Sequence, residues 1–439
     1  MKKKSAIHLC LAGGLVLLIA QLSLLMLLLY PYKHHRNNLI KDITVIVNIT
    51  SKLHFSLIVV DSEVLQHYSN QKLSSKNSCL LCEPRNPATF VIFYKGIRQS
   101  DELVSVLKEA KFQVVVLQNT NPPEVPSGIS INVPICYLLK RNTVIHIVLF
   151  HEREGNYWWH GNILSDPTAI SELSTFGLSV HGVQMMKSEG AYDKFETEHV
   201  EIDAISFLIP KDIPHFLREA TNSRFVECNH MLADSFHRVH GKDTTHEAMR
   251  FVHRAWKLLS KAKAILDKLG VRFWISSGTC LGYFRQCDII PHSKDVDIGI
   301  FITDYTEQIL PEFLAHGFTL KHWFGKINDS LELSFTSGDL KLDIFFFYED
   351  GRFVWNGGTQ AKTGKKFKYI FPRFTLCWTE FLELKVRVPC ETQAYVEANY
   401  GSDWFTPLTR WDWKSSPPNV RENGEWASDE WAQVMRVYN

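Results

Sequence analysis

Asp295-Val296-Asp297 and the later Asp343 have the side chains and the settings to hold a metal ion. Residues two apart on a strand point to one face, so Asp295 and Asp297 project together while Val296 and Ile298 turn to a core. Carboxylates side by side repel, and a hard divalent cation, Mg²⁺ or Mn²⁺, relieves that repulsion through oxygen ligands. Asp343 interrupts the apolar run from Leu340 to Phe347, where a carboxylate is costly to bury unless it is paired or metal-bound. If the two strands are neighbours, all three acids converge on one metal site and form the catalytic centre. The plainer reading makes Asp295 a turn residue, Asp297 an ion-pair partner and Asp343 a solvent-facing group. Just upstream stands Ser276-Ser277-Gly278-Thr279-Cys280-Leu281-Gly282. A Gly-Thr turn that opens a helix offers backbone N–H groups to a phosphate. The succession of turn, acidic pair and third acid favours metal-assisted phosphate chemistry over the plainer reading.

The elements that must position these groups are legible nearby. Thr244-Thr245-His246-Glu247 has the form of a capping box, and Met249, Val252, Trp256, Leu259 and Leu266 follow at helical spacing up to Gly270, a natural stop. This predicts a helix from Thr244 to Leu269 whose Val252–Trp256–Leu259 face packs under the catalytic sheet. Val271, Phe273 and Ile275 then alternate like a half-buried strand. Earlier, Thr44–Val47, Phe55–Val60, Phe90–Tyr94, Phe112–Leu117 and Val144–Phe150 read as short strands, with helical spacing over Asp101–Lys111. These predict a mixed α/β domain, with a fresh start near Cys228–Gly241. His151 and His160 lack the His-Glu-x-x-His spacing of a zinc protease and read as structural or surface residues.

A chain of 439 residues predicts two folded domains, and its 45% apolar content with 12 Trp, 14 Tyr and 28 Phe excludes a disordered protein. Forty-eight Lys+Arg against 47 Asp+Glu leave a net charge of +1, so no nucleic-acid partner is expected. Only the run from Ala6 to Tyr30 is apolar for long enough to cross a bilayer, which excludes a polytopic membrane protein. Lys2, Lys3 and Lys4 precede it, and no Ala-x-Ala boundary ends it. It therefore reads as a signal anchor with the bulk of the chain luminal, rather than a cleaved signal peptide. Cys10 lies in that run, and the eight remaining cysteines permit disulfides. Cys79-Leu80-Leu81-Cys82 is half of a zinc pattern without its other half, and reads as a disulfide or buried thiols. Asn48-Ile49-Thr50 and Asn328-Asp329-Ser330 are glycosylation sequons.

The order of turn, acidic pair and third acid resembles the nucleotidyltransferase superfamily, and more closely the LicD-like phosphotransferases. The residues that carry this are Gly278-Thr279-Cys280-Leu281-Gly282, Arg285, Ile290-Pro291 and Asp295-Val296-Asp297, with Val388-Pro389 and Tyr400-Gly401-Ser402-Asp403-Trp404 in the tail. The runs 273–282, 355–366 and 411–420 are similar to the fukutin family, and the likeness extends over nearly the whole chain. It implies an α/β and α+β fold class: a cytoplasmic tail (1–5), a transmembrane anchor (6–30), a luminal α/β stem domain (31–230) and a LicD-like catalytic domain with the nucleotidyltransferase fold (231–439). It also implies a type II membrane transferase of the Golgi or endoplasmic reticulum. Such an enzyme moves ribitol 5-phosphate from CDP-ribitol to a GalNAc hydroxyl on the O-mannosyl glycan of α-dystroglycan and releases CMP. Other enzymes of that glycan, such as fukutin-related protein, are the implied partners.

On this resemblance the Gly278–Thr279 turn and Arg285 hold donor phosphates, Arg285 by bidentate hydrogen bonding. Where the LicD-like pattern has Trp-Asp-Asp this chain has His292-Ser293-Lys294, so fewer acids are present and Lys294 becomes a candidate phosphate contact. Lys362, Lys365, Lys366, Lys368 and Arg373 form a basic stretch, either a solvated loop or a clamp on the donor or an anionic acceptor. Asp297, Asp343 and His292 are the candidate general bases. Two other functions stay open: a glycosyltransferase whose Asp-x-Asp holds a nucleotide-sugar, and a non-catalytic scaffold for glycosylation enzymes.

Overall fold

The computed structural model describes residues 18–25, 36–71, 79–82, 89–118, 133–162, 167–177, 185, 187–408 and 410–438. They form two units, one reaching from the N-terminal side to Thr221 without Arg153–Tyr157, the other taking those five residues and Asn222 onward. The anchor expected over residues 6–30 lies mostly outside the described residues; of it only 18–25 is described, as exposed helix. Among the described residues no helix is long and apolar enough to cross a membrane.

The first unit is a mixed α/β structure. Its elements are α1 (residues 36–52), β1 (Ile58–Val59), α2 (Ser62–Gln71), β2 (Thr89–Phe93), α3 (Ile97–Glu109), β3 (Gln113–Gln118), β4 (Pro134–Lys140), β5 (Val144–Arg153), β6 (Tyr157–His160), α4 (Pro167–Thr175), β7 (Gly190–Asp193), β8 (Thr197–Ile202), β9 (Ile205–Pro210) and α5 (Ile213–Thr221). The strands run β3-β4-β5-β2-β1-β9-β8 across one sheet, with β6 paired to β5 and β7 paired to β6. The expected strand at Thr44–Val47 is instead the middle of α1. Leu39, Ile43, Ile46 and Ile49 recur at helical spacing and are all buried, and a stripe of that period cannot face a core from a strand. Buried Asp42 holds α1 in place by accepting hydrogen bonds from the backbone N–H groups of Asn142 and Thr143. Asn48 is exposed on this helix, but the Thr50 hydroxyl of its sequon is buried and donates back to the carbonyls of Ile46 and Val47. His151 and His160 are both buried, His151 with Nε2 at 2.8 Å from the Pro134 carbonyl. Cys79 and Cys82 form a disulfide.

The second unit opens with α6 (His230–His240) and α7 (His246–Lys268), then β10 (Phe273–Ile275), α8 (Ser277–Gln286), β11 (Asp295–Phe301) and α9 (Ile309–Ala315). Seven strands follow: β12 (Thr319–Lys326), β13 (Asp329–Ser337), β14 (Leu340–Asp350), β15 (Phe353–Gln360), β16 (Lys365–Pro372), β17 (Leu376–Phe381) and β18 (Leu384–Pro389). The chain ends with α10 (Thr392–Tyr400), β19 (Val420–Glu425), α11 (Trp431–Val434) and β20 (Met435–Val437). The sheet runs β19-β16-β15-β14-β13-β12-β20, and β11 lies parallel to β14 with β10 beyond it. Cys228–Cys287 and Cys377–Cys390 are disulfides, while Cys280 is a buried thiol.

The sequence places α7 correctly but turns it slightly. Its N-cap is Thr245, whose hydroxyl accepts from the Ala248 N–H, so Glu247 falls one position short of a reciprocal capping box. The buried face is Ala248, Phe251, Ala255, Leu258, Leu259, Ala262, Ile265 and Leu266, whereas Met249 is 55% exposed. Trp256 is half-buried, and its indole N–H donates to the Leu382 carbonyl. The expected Val252–Trp256 face is therefore the flank of the packed stripe. The C-terminus closes as a Schellman turn, with Val271 N–H donating to the Leu266 carbonyl and Gly270 N–H to that of Asp267. Gly270 has a φ of 68°, which is the reason for glycine at that stop. All three residues of β10 are buried, Trp274 included, so this strand is covered on both faces rather than half-exposed. Leu266→Ala should cost about 2–5 kcal/mol of stability in chemical denaturation, and Met249→Ala less than about 0.5 kcal/mol. Equal losses would place the buried stripe on the wrong side of the helix.

Candidate metal and phosphate site

Strand alternation builds the site. On β11, Val296, Ile298 and Ile300 are buried in the core, which turns Asp295 and Asp297 to the opposite face. On β14, Leu342, Ile344 and Phe346 do the same for Lys341 and Asp343. The parallel register sets Asp295 beside Lys341 and Asp297 beside Asp343. One carboxylate oxygen from each of Asp295, Asp297 and Asp343 lies within 4.8 Å of the others. On the other side of β14, β13 pairs Ser334 with Asp343, and the Ser334 hydroxyl donates to Asp343 Oδ1 at 2.6 Å. Lys341 Nζ lies 2.6 Å from Asp343 Oδ2. Glu332, two residues from Ser334, shares this face and lines the same cavity.

The start of α8 is fastened to β11. Ser277 takes a left-handed φ of 40°, which makes the strand-to-helix turn sharp. Gly278 N–H then donates to Asp297 Oδ2 at 3.1 Å, and Asp297 N–H donates to Thr279 Oγ1 at 2.9 Å. The free N–H expected for a phosphate at Gly278 is thus given to the carboxylate, and Thr279 is buried behind it. The positive end of the helix favours that anion. Gly299, next along the same face, leaves room for the Trp274 ring: a Cβ there would lie 2.4 Å from the indole.

Burial raises the Asp297 carboxyl well above its ordinary range, and the neighbouring charges of Asp295 and Asp343 raise it further. Asp295 is raised by burial and then by Asp343, against the opposing pull of Lys341. Burial and Asp343 push Glu332 up to about 8. For Lys341 burial acts downward, but the charges of Asp343, Asp295 and Glu332 outweigh it and hold the ammonium charged. Four carboxyl groups share one ammonium, so their full ionisation would leave a deficit of positive charge. An all-oxygen donor set of this kind fits a hard divalent cation.

The face is the floor of a cavity of about 1590 Å³, larger than the roughly 300–1,000 Å³ of most single-ligand sites. Gly278 and Arg285 line it, as do Tyr369, Tyr400, Trp411 and Trp413. Arg285 is buried, with its guanidinium 4.5 Å from the Phe236 ring, its terminal nitrogens donating to the Trp404 carbonyl and Gln286, and its Nε without a hydrogen-bond partner among the described residues. Burial lowers it to about 10, and an anion in the cavity would reverse that. Lys294 is exposed and does not line the cavity. His292 has a side chain 79% exposed, 3.5 Å from Asp243.

The basic stretch does not reach the cavity either. Lys362 is exposed on the turn between β15 and β16, and Lys365 pairs with Glu422 at 3.7 Å. Lys366 pairs with Asp329, Lys368 with Asp350 and Arg373 with Glu349. Four of these five cations thus face neighbouring acids and none of the five lines the cavity, which favours an ion-pair network over the expected clamp. Sequence reading missed Lys341, Glu332 and Ser334. Their signal was the period of two that they share with Asp343, which acquires meaning only once β13 and β14 are known to pair.

The raised carboxyls carry a pH consequence. In the metal-free folded protein they keep protons that the unfolded chain has released, so stability falls as pH rises from the ordinary carboxyl value near about 4 toward 8. Asp297→Asn removes one such group. Its thermal stability in EDTA relative to the parent should therefore improve as pH rises above the ordinary carboxyl value near about 4, and an advantage that does not change with pH would contradict the assignment.

Comparison with known proteins adds the family. A model described as "Fukutin N-terminal" matches residues 31–256, and one described as "LicD/FKTN/FKRP, nucleotidyltransferase domain" matches residues 270–391. The human protein named "Ribitol-5-phosphate transferase FKTN" is 44% identical over 404 residues, covering 89% of this chain and 87% of the human one. An uncharacterised Caenorhabditis elegans protein is 26% identical over 386 residues, covering 80% of this chain and all of its own. A 40-residue stretch, 9% of this chain and 8% of its relative, is 48% identical to the mouse "Ribitol 5-phosphate transferase FKRP". Two matching family models and this degree of identity over most of both chains establish that the protein belongs to the fukutin family of LicD-type proteins.

Proposed function

We propose that the chain transfers ribitol 5-phosphate from CDP-ribitol to a hydroxyl of an O-mannosyl glycan, that of α-dystroglycan, and releases CMP. The observation that carries this reading is the convergence of Asp295, Asp297 and Asp343 on the cavity floor, in a chain 44% identical to a named ribitol-5-phosphate transferase. The acceptor oxygen attacks the phosphorus that bears ribitol, the bond from that phosphorus to the bridging oxygen breaks, and CMP departs with the electron pair. Asp295, Asp297 and Asp343 would hold a divalent cation, which supplies neutralisation of the diphosphate and of the charge that builds on the leaving phosphate. Arg285, with its unpartnered Nε at the cavity wall, holds a donor phosphate. The hydroxyl proton would pass to a carboxylate of the floor, Asp297 or Asp343; His292 also borders the cavity, but its side chain is 79% exposed and lies beside Asp243. Gly278 acts through Asp297, which its N–H orients.

In this reading residues 6–30 anchor the protein in the Golgi membrane with both units luminal. The three disulfides among the described residues suit an oxidising lumen. Fukutin-related protein, whose mouse form shares a short similar stretch, is the proposed companion enzyme.

The test is to incubate the purified chain with CDP-ribitol and a model glycan and to weigh the product. A mass gain of one ribitol phosphate is expected, abolished by EDTA and restored by Mg²⁺ or Mn²⁺. Asp295→Asn, Asp297→Asn and Asp343→Asn should each lower the rate at least about 100-fold with the fold intact. A sugar increment would favour a glycosyltransferase. Parent-like rates for all three variants would favour a scaffold, and full activity of Asp343→Asn alone would remove it from the metal site.

A further inference from the structure

Lys341 stands on the acidic floor, where it has no part in the packing of its strand. Its neighbours Leu340 and Leu342 are buried in the core, while its own side chain is 39% exposed and borders the cavity. Its ammonium lies 2.6 Å from Asp343 Oδ2, and the register sets it beside Asp295. It therefore lies against Asp343, one of the three carboxylates that would coordinate a cation, and on the strand position beside a second, Asp295. We propose that Lys341 is a tethered counter-ion. Its ammonium neutralises Asp343 and Asp295 while no dication is bound, yields that place when one enters, and then turns to a phosphate of the donor.

The physical argument is competition. An ammonium and a dication at one carboxylate repel each other strongly at a separation of a few ångströms, and the partly buried floor screens that repulsion less than water does. Lysine suits the exchange because its charge sits on a flexible four-carbon stem with three rotatable donors. The open cavity lies in front of it, and a diphosphate is the anion that the proposed reaction brings there. The inference rests on the metal-dependent transfer proposed above. A purely structural ion pair would behave in the opposite way, since its loss would loosen the acids and weaken metal binding.

The experiment is calorimetric titration of Mn²⁺ alone into the full chain, without nucleotide, for the parent, Lys341→Met and Lys341→Arg. Lys341→Met should bind Mn²⁺ at least about tenfold more tightly, and Lys341→Arg, which keeps the charge, within about threefold of the parent. At saturating Mn²⁺, Lys341→Met should raise KM for CDP-ribitol about tenfold. Should the Met variant fail to fold, Lys341→Gln keeps the polarity and is expected to give the same shift. Equal or weaker Mn²⁺ binding on loss of the charge overturns the counter-ion while leaving the transferase reading intact. Failure of both parent and variant to bind Mn²⁺ overturns the two together. An unchanged KM at saturating Mn²⁺ overturns the phosphate contact.

Discussion

The parallel pairing of β11 with β14 is the constraint on which the site depends. Asp297 meets Asp343 only in that register. Because side chains alternate with a period of two, a slip of one residue would bring Leu342 to the cavity and send Asp343 into the core. The register is set on the other face, where Val296, Ile298 and Ile300 lie beside Leu342, Ile344 and Phe346, all buried. The hydrophobic side of the sheet thus determines the geometry of its polar side. Because the two strands are parallel, they need a crossover, here built from α9, β12 and β13, and β13 returns beside β14 with Ser334 and Glu332.

The charges on this floor oppose one another, which suits them to a charged ligand. Three buried or half-buried aspartates and Glu332 face a single ammonium and the start of α8. Keeping like charges together costs stability, and such strain persists where function requires it. Fastening Gly278 to Asp297 commits the helix start to orienting an acid, which leaves phosphate binding to side chains such as Arg285. The aromatic wall of Tyr369, Tyr400, Trp411 and Trp413 gives the cavity flat apolar surfaces beside its charged floor, a combination that suits a substrate with both phosphates and rings.

Much of this was legible in the chain. Asp295 and Asp297 declared themselves by spacing, and Asp343 by its apolar setting, because both signals are local. Lys341 and Glu332 did not, since their meaning comes from a neighbour across the sheet. The expected strand at Thr44–Val47 failed because four β-branched or polar residues were weighed without the longer stripe from Leu39 to Ile49. For α7 the large side chains drew attention from the alanines at 248, 255 and 262, which are buried because close helix packing favours small residues. The lysines after Gly364 looked like a clamp because a sequence does not display the acids that pair with them. Glu422, Asp329 and Asp350 come from other strands or turns.

Gly299 carries no charge and touches no proposed ligand, yet the Trp274 ring occupies the space its side chain would need. The smallest substitution there must push either the indole or β11, and β11 is the strand that bears Asp295 and Asp297. Inherited or engineered changes at this position would displace the acids while leaving every polar group present. A survey of variants that inspects only charged positions would pass over it, and a loss of function traced to residue 299 would be an error of placement rather than of chemistry.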